Sequence, residues 1–327
     1  MVFTLIGRAM ALRVLFLGAG GTGGYFGARL AQAKSANVAF LVRAQRAEFL
    51  RTSGLVVQTP KERFVVKDVR TVTDAASVGS VDVVVLSCKA YDLDSAMQAI
   101  APAMTANPSA LVLPLLNGVK HFDRLDETFG KDKVLGGCVY INAELDAHGV
   151  VHQQSPLHRM CFGVRQGNAA HARGVLARLD EALKATPCES LFSDNVMQDV
   201  WEKYVFIAVM AGMTCLMRAP LGTIASTPEG RDLMLRFADE CNLTAKLEGF
   251  PLRAKALQTN TERLVDVKSK MTASMLKDLV AGKPIESDQL VGDMLARLRR
   301  RAPETSAVML QTALCHLDAY NLSRPKL

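Results

Sequence analysis

The sequence predicts an α/β domain, built on a doubly wound parallel sheet, followed by an all-α domain. Three observations carry that expectation. Short apolar runs alternate with helix-like stretches through the first 190 or so residues. Runs such as VDVVVLS and ALVLPLL are apolar on both faces, as strands covered by helices on both sides must be. Beyond Asp194 strand-like runs vanish and only long helical patterns remain.

Taken in order, strands are expected at 14–17, 38–42, 55–57, 64–66, 81–87, 111–115, 135–141 and 160–163, where β-branched and aliphatic residues cluster between turn residues. Helices are expected at 23–33, 46–53, 93–101 and 169–185. Alternation of the two implies right-handed βαβ units. The second half reads as helices at 195–217, 228–248, 253–280, 287–300 and 305–322, with breaks at EGFP and AGKP. Domains are therefore expected at 1–192 and 193–327.

The composition is that of a globular protein: 49% hydrophobic and 22% charged. No apolar stretch reaches the roughly 18–20 residues of a bilayer span, and 204–217 reads as a buried helix. The first ten residues have no basic segment ahead of their short apolar run, so they do not read as a secretion signal, and Met1 and Met10 are both candidate starts. Net charge is +7. A nucleic-acid partner would need clustered cations with interleaved aromatics. Here the cations are scattered, and the one dense run, 297–301, is expected to be a solvated helix face. Seven cysteines without CxxC spacing, several inside apolar runs, suit reduced core thiols of a cytoplasmic protein. Six histidines show no metal-ligand spacing, and no metal site is expected. No nucleic-acid or membrane partner is expected; a homodimer is compatible with the apolar C-terminal helices.

Between the first strand and the first helix lies GAGGTGGYFG, six glycines in ten positions. Residues 18–23 fit G-x-G-x-x-G in the strand–turn–helix context that gives the motif meaning. Gly18 permits the tight turn, Gly20 lets a pyrophosphate approach the backbone, and Gly23 lets helix and strand pack closely. The helix N-terminus adds unpaired N–H groups and a positive dipole end. This is a Rossmann-type dinucleotide site. The second strand runs into VRAQR with no acid between Gly18 and Glu48 to hold a ribose 2′-hydroxyl. Arg43 and Arg46 stand there instead. A guanidinium suits a 2′-phosphate, so the cofactor expected is NADPH/NADP+.

Four further segments carry chemistry. VLSCKAYD puts Lys89, and PLLNGV puts Asn117, at carboxyl ends of strands. WEKYVFIAVMAG embeds Lys203 in an apolar helix. SKMTASMLKDLVAGKPIESDQLVG carries Ser274, Asp278 and Glu286. With the glycine motif, this ordered set resembles the ketopantoate reductase (2-dehydropantoate 2-reductase) family from residue 14 to about 292. The resemblance implies an active site in the cleft between the two domains and NADPH reduction of a 2-keto acid, ketopantoate first among them, on the way to pantothenate and coenzyme A. It implies Gly18, Gly20, Gly23, Arg43 and Lys89 as cofactor contacts, Asn117 near nicotinamide and substrate, Lys203 and Glu286 as catalytic, and Ser274 as substrate-binding.

The chemistry agrees with that assignment. Negative charge builds on a ketone oxygen during reduction, and a partly buried ammonium both stabilises it and supplies the proton. Glu286 would orient Lys203 or hold a substrate hydroxyl. Family members carry asparagines four and eight residues after the lysine, where this chain has Ile207 and Ala211. Positions i, i+4 and i+8 share one helix face, so that face is apolar, with Thr214, Ser269 and Lys270 as possible replacements for the lost amides. Two alternatives therefore stay open: an NADP-dependent 2-keto-acid or ketone reductase with another substrate, and a non-catalytic NADPH-binding sensor.

Overall fold

A computed structural model describes residues 11–165 and 169–324; both candidate starts lie outside them. Two compact units are formed. The first comprises the chain up to Cys88, Asp92–Leu115 and Thr128–Asp194. The second comprises Lys89–Tyr91, Leu116–Glu127 and the chain from Asn195 onward. The expected boundary at 192/193 therefore has two short segments of the first half on the far side, and both carry residues singled out above.

The first unit has at its centre five parallel strands: β1 (Arg13–Leu17), β2 (Asn37–Leu41), β5 (Thr71–Val72), β6 (Val83–Leu86) and β7 (Leu111–Pro114), in the order β5-β2-β1-β6-β7. From β1 the chain winds outward to β2, then returns to β6 on the other side, so the order reverses at β1. The carboxyl ends of β1 and β6 flank that reversal, which is where open α/β sheets hold ligands. Helices α1 (Gly21–Ala33), α2 (Ala44–Ser53) and α3 (Leu93–Ala106) are the crossovers. Val14, Phe16, Val83, Val85, Leu111 and Leu113 on one face and Leu15, Val84 and Val112 on the other are all at most 3% exposed, which is why these strands lack alternation. Antiparallel and mixed pairing extends the unit: β3 (Leu55–Gln58) and β4 (Arg63–Val66) join two short strands, β9 (Ala143–Leu145) and β10 (Val151–Gln153), while β8 (Gly136–Tyr140), β11 (Arg159–Gly163) and β12 (Glu189–Phe192) form a third sheet, covered by α5 (Ala169–Lys184).

Behind α1 lies a polar cluster. The Tyr25 hydroxyl is 2.8 Å from His158 Nδ1 and accepts from Arg29 Nε at 3.3 Å. Arg29, only 4% exposed, also donates to Glu62 at 2.7 Å and lies over Phe64. Burial pushes the Tyr25 hydroxyl up to about 12. Burial, then the charge of Arg29, holds His158 below the ordinary imidazole value.

The second unit is helical. Its axis is α6 (Val196–Met217), surrounded by α7 (Leu221–Ala225), α8 (Gly230–Leu247), α9 (Ala254–Leu264), α10 (Ser274–Val280), α11 (Asp293–Arg301) and α12 (Val308–Ser323). One further helix, α4 (Lys120–Phe129), starts in this unit. α6 is the one helix long and apolar enough for a bilayer span among the described residues, and 72% of its apolar window is buried. None of the seven cysteines is in a disulfide.

Two expectations need correction. Residues 253–280 are not one helix: α9 ends at Leu264 and α10 begins at Ser274. Between them Ser269 and Met271 give their carbonyls to the N–H groups of Gly222 and Leu221 at the start of α7, and Asp266 Oδ1 accepts from Lys268 N. The backbone partners a continuous helix needs are taken elsewhere. Nor is 297–301 simply a solvated face. Arg297 is 9% exposed, donating to Glu248 at 2.7 Å, Asp293 at 2.9 Å and Asp123 at 3.2 Å. Arg299, Arg300 and Arg301 do lie in solvent, and Arg301 joins the network through Glu248 at 2.7 Å. The network fixes α4 to α8 and α11 inside the unit, and with it the residues just before α4.

Candidate active site

The glycine loop follows β1 directly. Gly18 has φ +83°, a left-handed conformation natural to glycine. Its N–H donates to Leu41 O at 2.8 Å, tying the turn to β2. A Cβ on Gly20 would point into open space, whereas one on Gly23 would come within 2.5 Å of Ser87 Oγ and 3.0 Å of Gly18 O. So Gly20 leaves an open approach to the loop, and Gly23 closes the packing beneath it, against Ser87, the residue just after β6. α1 starts with no side-chain cap and no acidic residue in its first turn, leaving its N–H groups and dipole for an anion.

The two arginines after β2 do different things. Arg46 is half-buried; its Nη2 donates to Ala19 O at 3.0 Å and its Nη1 to Gly149 O at 3.1 Å. Its Nε is buried without a partner in the structure. Arg43 precedes α2 and is exposed. Arg46 thus braces the glycine loop, and Arg43 stands beside it in solvent. The open loop, the uncapped helix and the orphaned Arg46 Nε together fit an anionic dinucleotide.

The second unit gathers the remaining residues into two clusters. In one, Lys203 on α6 donates from Nζ to Asn117 Oδ1 at 2.9 Å. Gln289 donates from Nε2 to the Asn117 carbonyl at 2.8 Å and lies 3.2 Å from His121 Nδ1. Gly118, at φ +78°, makes this approach possible: a Cβ there would sit 2.9 Å from Gln289 O. In the other cluster Lys89 Nζ meets Asp278 Oδ2 at 2.7 Å and Glu286 Oε2 at 3.4 Å, while Glu286 Oε1 accepts from Ala90 N at 2.9 Å. Burial pulls the Lys89 ammonium down, but Glu286 and then Asp278 outweigh it and leave its pKa above the ordinary lysine value. Gly282, at φ +71°, ends α10 after Asp278 and turns the chain back so that Glu286 reaches the same lysine.

One segment links the clusters. Residues Asp288–Gly292 form a π-helical turn, a feature frequent at functional sites. Glu286 lies just ahead of it and Gln289 within it, three residues apart. The Tyr204 hydroxyl donates to Leu290 O at 2.7 Å, holding the widened turn. Tyr204 is fully buried, and burial, then Asp293, drives its pKa well up, so it remains a donor. Ser274 opens α10 with its side chain exposed, one turn ahead of Asp278, and has no bond to either cluster. Glu286 pairs with Lys89. Thr214 is fully buried, donating to Met210 O at 2.7 Å and accepting from Ala273 N at 3.4 Å. It holds the start of α10 and does not replace a lost amide. Gln289, His121 and Tyr204 were not evident from the sequence; the glycine after Asn117 was the one local sign of close packing there.

The parallel sheet reversing at β1, the glycine loop and a lysine held by an asparagine in a helical unit define an oxidoreductase of the Rossmann class with an added helical half. Models of the ketopantoate reductase PanE/ApbA family match residues 14–167, and models of its C-terminal half match residues 195–317. The chain belongs to the ketopantoate reductase family. It is 33% identical over 313 residues to an uncharacterized oxidoreductase, YkpB, of Bacillus subtilis, covering 96% of this chain and all of that one. It is 26% identical to the 2-dehydropantoate 2-reductase of Mesorhizobium japonicum, covering 86% of this chain and 89% of that one. A crystal structure of a PanE/ApbA family ketopantoate reductase from Ralstonia eutropha shares 25% identity at a TM-score of 0.83, covering 96% and 99% of the two chains. The fold is also that of a D-mandelate dehydrogenase solved with NADH and anilino(oxo)acetate, at 20% identity and TM-score 0.81 over 95% and 99% of the chains.

Proposed function

We propose that the protein catalyses the NADPH-dependent reduction of a 2-keto acid to a 2-hydroxy acid in the cytoplasm. The observation that carries the reading is the Lys203–Asn117 pair on the accessible face of α6. The Lys203 ammonium is held in place by the Asn117 amide oxygen, which accepts from Nζ. Placed against a ketone, it stabilises the developing oxyanion and donates a proton from Nζ to that oxygen. Asn117 Oδ1 orients the ammonium, and its Nδ2 is not used by that bond. A reduced nicotinamide dinucleotide bound at Gly18, Gly20 and Gly23 supplies the hydride. Lys89, held by Asp278 and Glu286, offers a cation fixed in place by two carboxylates.

Arg43 supports NADPH over NADH: it is the exposed guanidinium after β2, where no carboxylate stands to hold a 2′-hydroxyl. Ketopantoate is the first substrate to try, given the family. The test is oxidation of NADPH and of NADH, followed at 340 nm, against a panel of 2-keto acids that includes ketopantoate. Turnover with at least one keto acid is expected, with kcat/KM for NADPH exceeding that for NADH by about 10-fold or more, the worth of one charge-assisted contact. Tight NADPH binding without turnover of any keto acid would instead make the chain a nucleotide-binding sensor.

A further inference from the structure

α6 is packed on nearly every side. Of the described residues from 201 to 215, Lys203, Ile207 and Met210 alone are not buried. Steps of four and three residues put them on one stripe of the helix. The stripe runs from an ammonium, already held by the Asn117 amide, onto two purely apolar side chains. With a rise of 1.5 Å per residue, Ile207 lies roughly 6 Å and Met210 roughly 10 Å along the helix from Lys203. Ala211, the other residue of this face, is 1% exposed and out of reach. Thr214, the next polar residue along it, is fully buried and bonded to backbone.

We infer that Ile207 and Met210 set substrate choice, and that the protein prefers 2-keto acids whose substituent is a hydrocarbon over those carrying a hydroxyl at that position. The inference rests on the reduction reading above. The polar end of such a substrate, carbonyl and carboxylate, belongs with Lys203 and Asn117. Its substituent extends along the stripe, where neither the Ile207 nor the Met210 side chain offers a hydroxyl a hydrogen-bond partner. The size of the effect is bounded. A pocket built to bond a hydroxyl rejects the analogue lacking it by about 10⁴–10⁵-fold, whereas an apolar pocket rejects an added hydroxyl by about 10²-fold at most.

The matched pair for the test is ketopantoate and 3,3-dimethyl-2-oxobutanoate, which differ by that one hydroxyl. For the unaltered protein, kcat/KM for the dimethyl compound is expected to exceed that for ketopantoate by about 3- to 100-fold. Ile207→Asn is expected to move the ratio toward ketopantoate by about 10-fold, and Ile207→Val to leave it in place. Met210→Gln, which keeps chain length and adds an amide, tests the second residue should Ile207→Asn fold poorly. A preference of the unaltered protein for ketopantoate overturns the inference alone. So does a ratio that neither amide variant moves. Absence of turnover with both compounds and with the wider panel removes the reduction reading and this inference together.

Discussion

The glycine loop and the Lys203 region are built from opposite materials. The loop after β1 works through atoms it lacks: no Cβ at Gly20, none at Gly23, no acid in the first turn of α1. The helical unit works through atoms it adds, with charged and amide side chains meeting across 86 to 197 residues of sequence. A loop defined by absence is damaged by any added methyl group. A cluster defined by presence is damaged by removing one polar atom, and its neighbours then bear the cost of an unpaired group.

The largest effect should come from the additive side. Lys203→Ala is expected to lower kcat by about 10²–10⁴-fold, the range of a lost proton donor. NADPH affinity, read by fluorescence titration, should stay near that of the unaltered protein. Undiminished turnover would end the assignment of Lys203 as donor.

A pair of substitutions sharpens the subtractive side. Gly23→Ala must push Ser87 Oγ or the Gly18 carbonyl aside and should cost about 1–3 kcal/mol, seen as a lower Tm. Gly20→Ala meets nothing in the structure, so its Tm should match the unaltered protein while NADPH binding weakens. Equal losses of Tm in both would show that the loop is not open at Gly20.

The smallest effect concerns pH. His158 is held below the ordinary value of 6.5 by burial and Arg29. A histidine depressed in the fold contributes stability that is present above 6.5 and lost as pH falls through the lowered value, because the unfolded chain binds the proton first. Partial exposure screens the effect, so a Tm fall of roughly 1–3 °C below pH 6 is expected. It should shrink in His158→Gln. An unchanged pH profile in that variant would remove His158 from the account.

The contrast also explains what could be read from the sequence. The glycine motif, the strands beside it and Arg43 are contiguous, so local spacing carried them. The strand runs of the central sheet were legible because both faces are buried. Short strands such as β9 and β12 are edge additions without a run long enough to register. Glu286 was legible as a residue but not as the partner of Lys89, because that pairing closes 197 residues of chain and depends on the turn at Gly282. The same holds for Arg297, whose burial is set by Asp293 on its own helix together with Glu248 and Asp123 from two other stretches of sequence. Gln289 left no sign at all, since a π-helical turn has no periodicity that distinguishes it from the first turn of an ordinary helix.

That turn has a mechanical consequence. Tyr204 and Lys203 are adjacent on α6; one grips the carbonyl of Leu290 and the other the side chain of Asn117, whose own carbonyl is gripped by Gln289. The three bonds close a ring through two helices and a loop. Any rotation of α6 about its axis is transmitted to both ends of that ring at once, so the Lys203 ammonium and the Asn117 amide travel as one geared part, and neither can be retuned alone by small shifts of the helix.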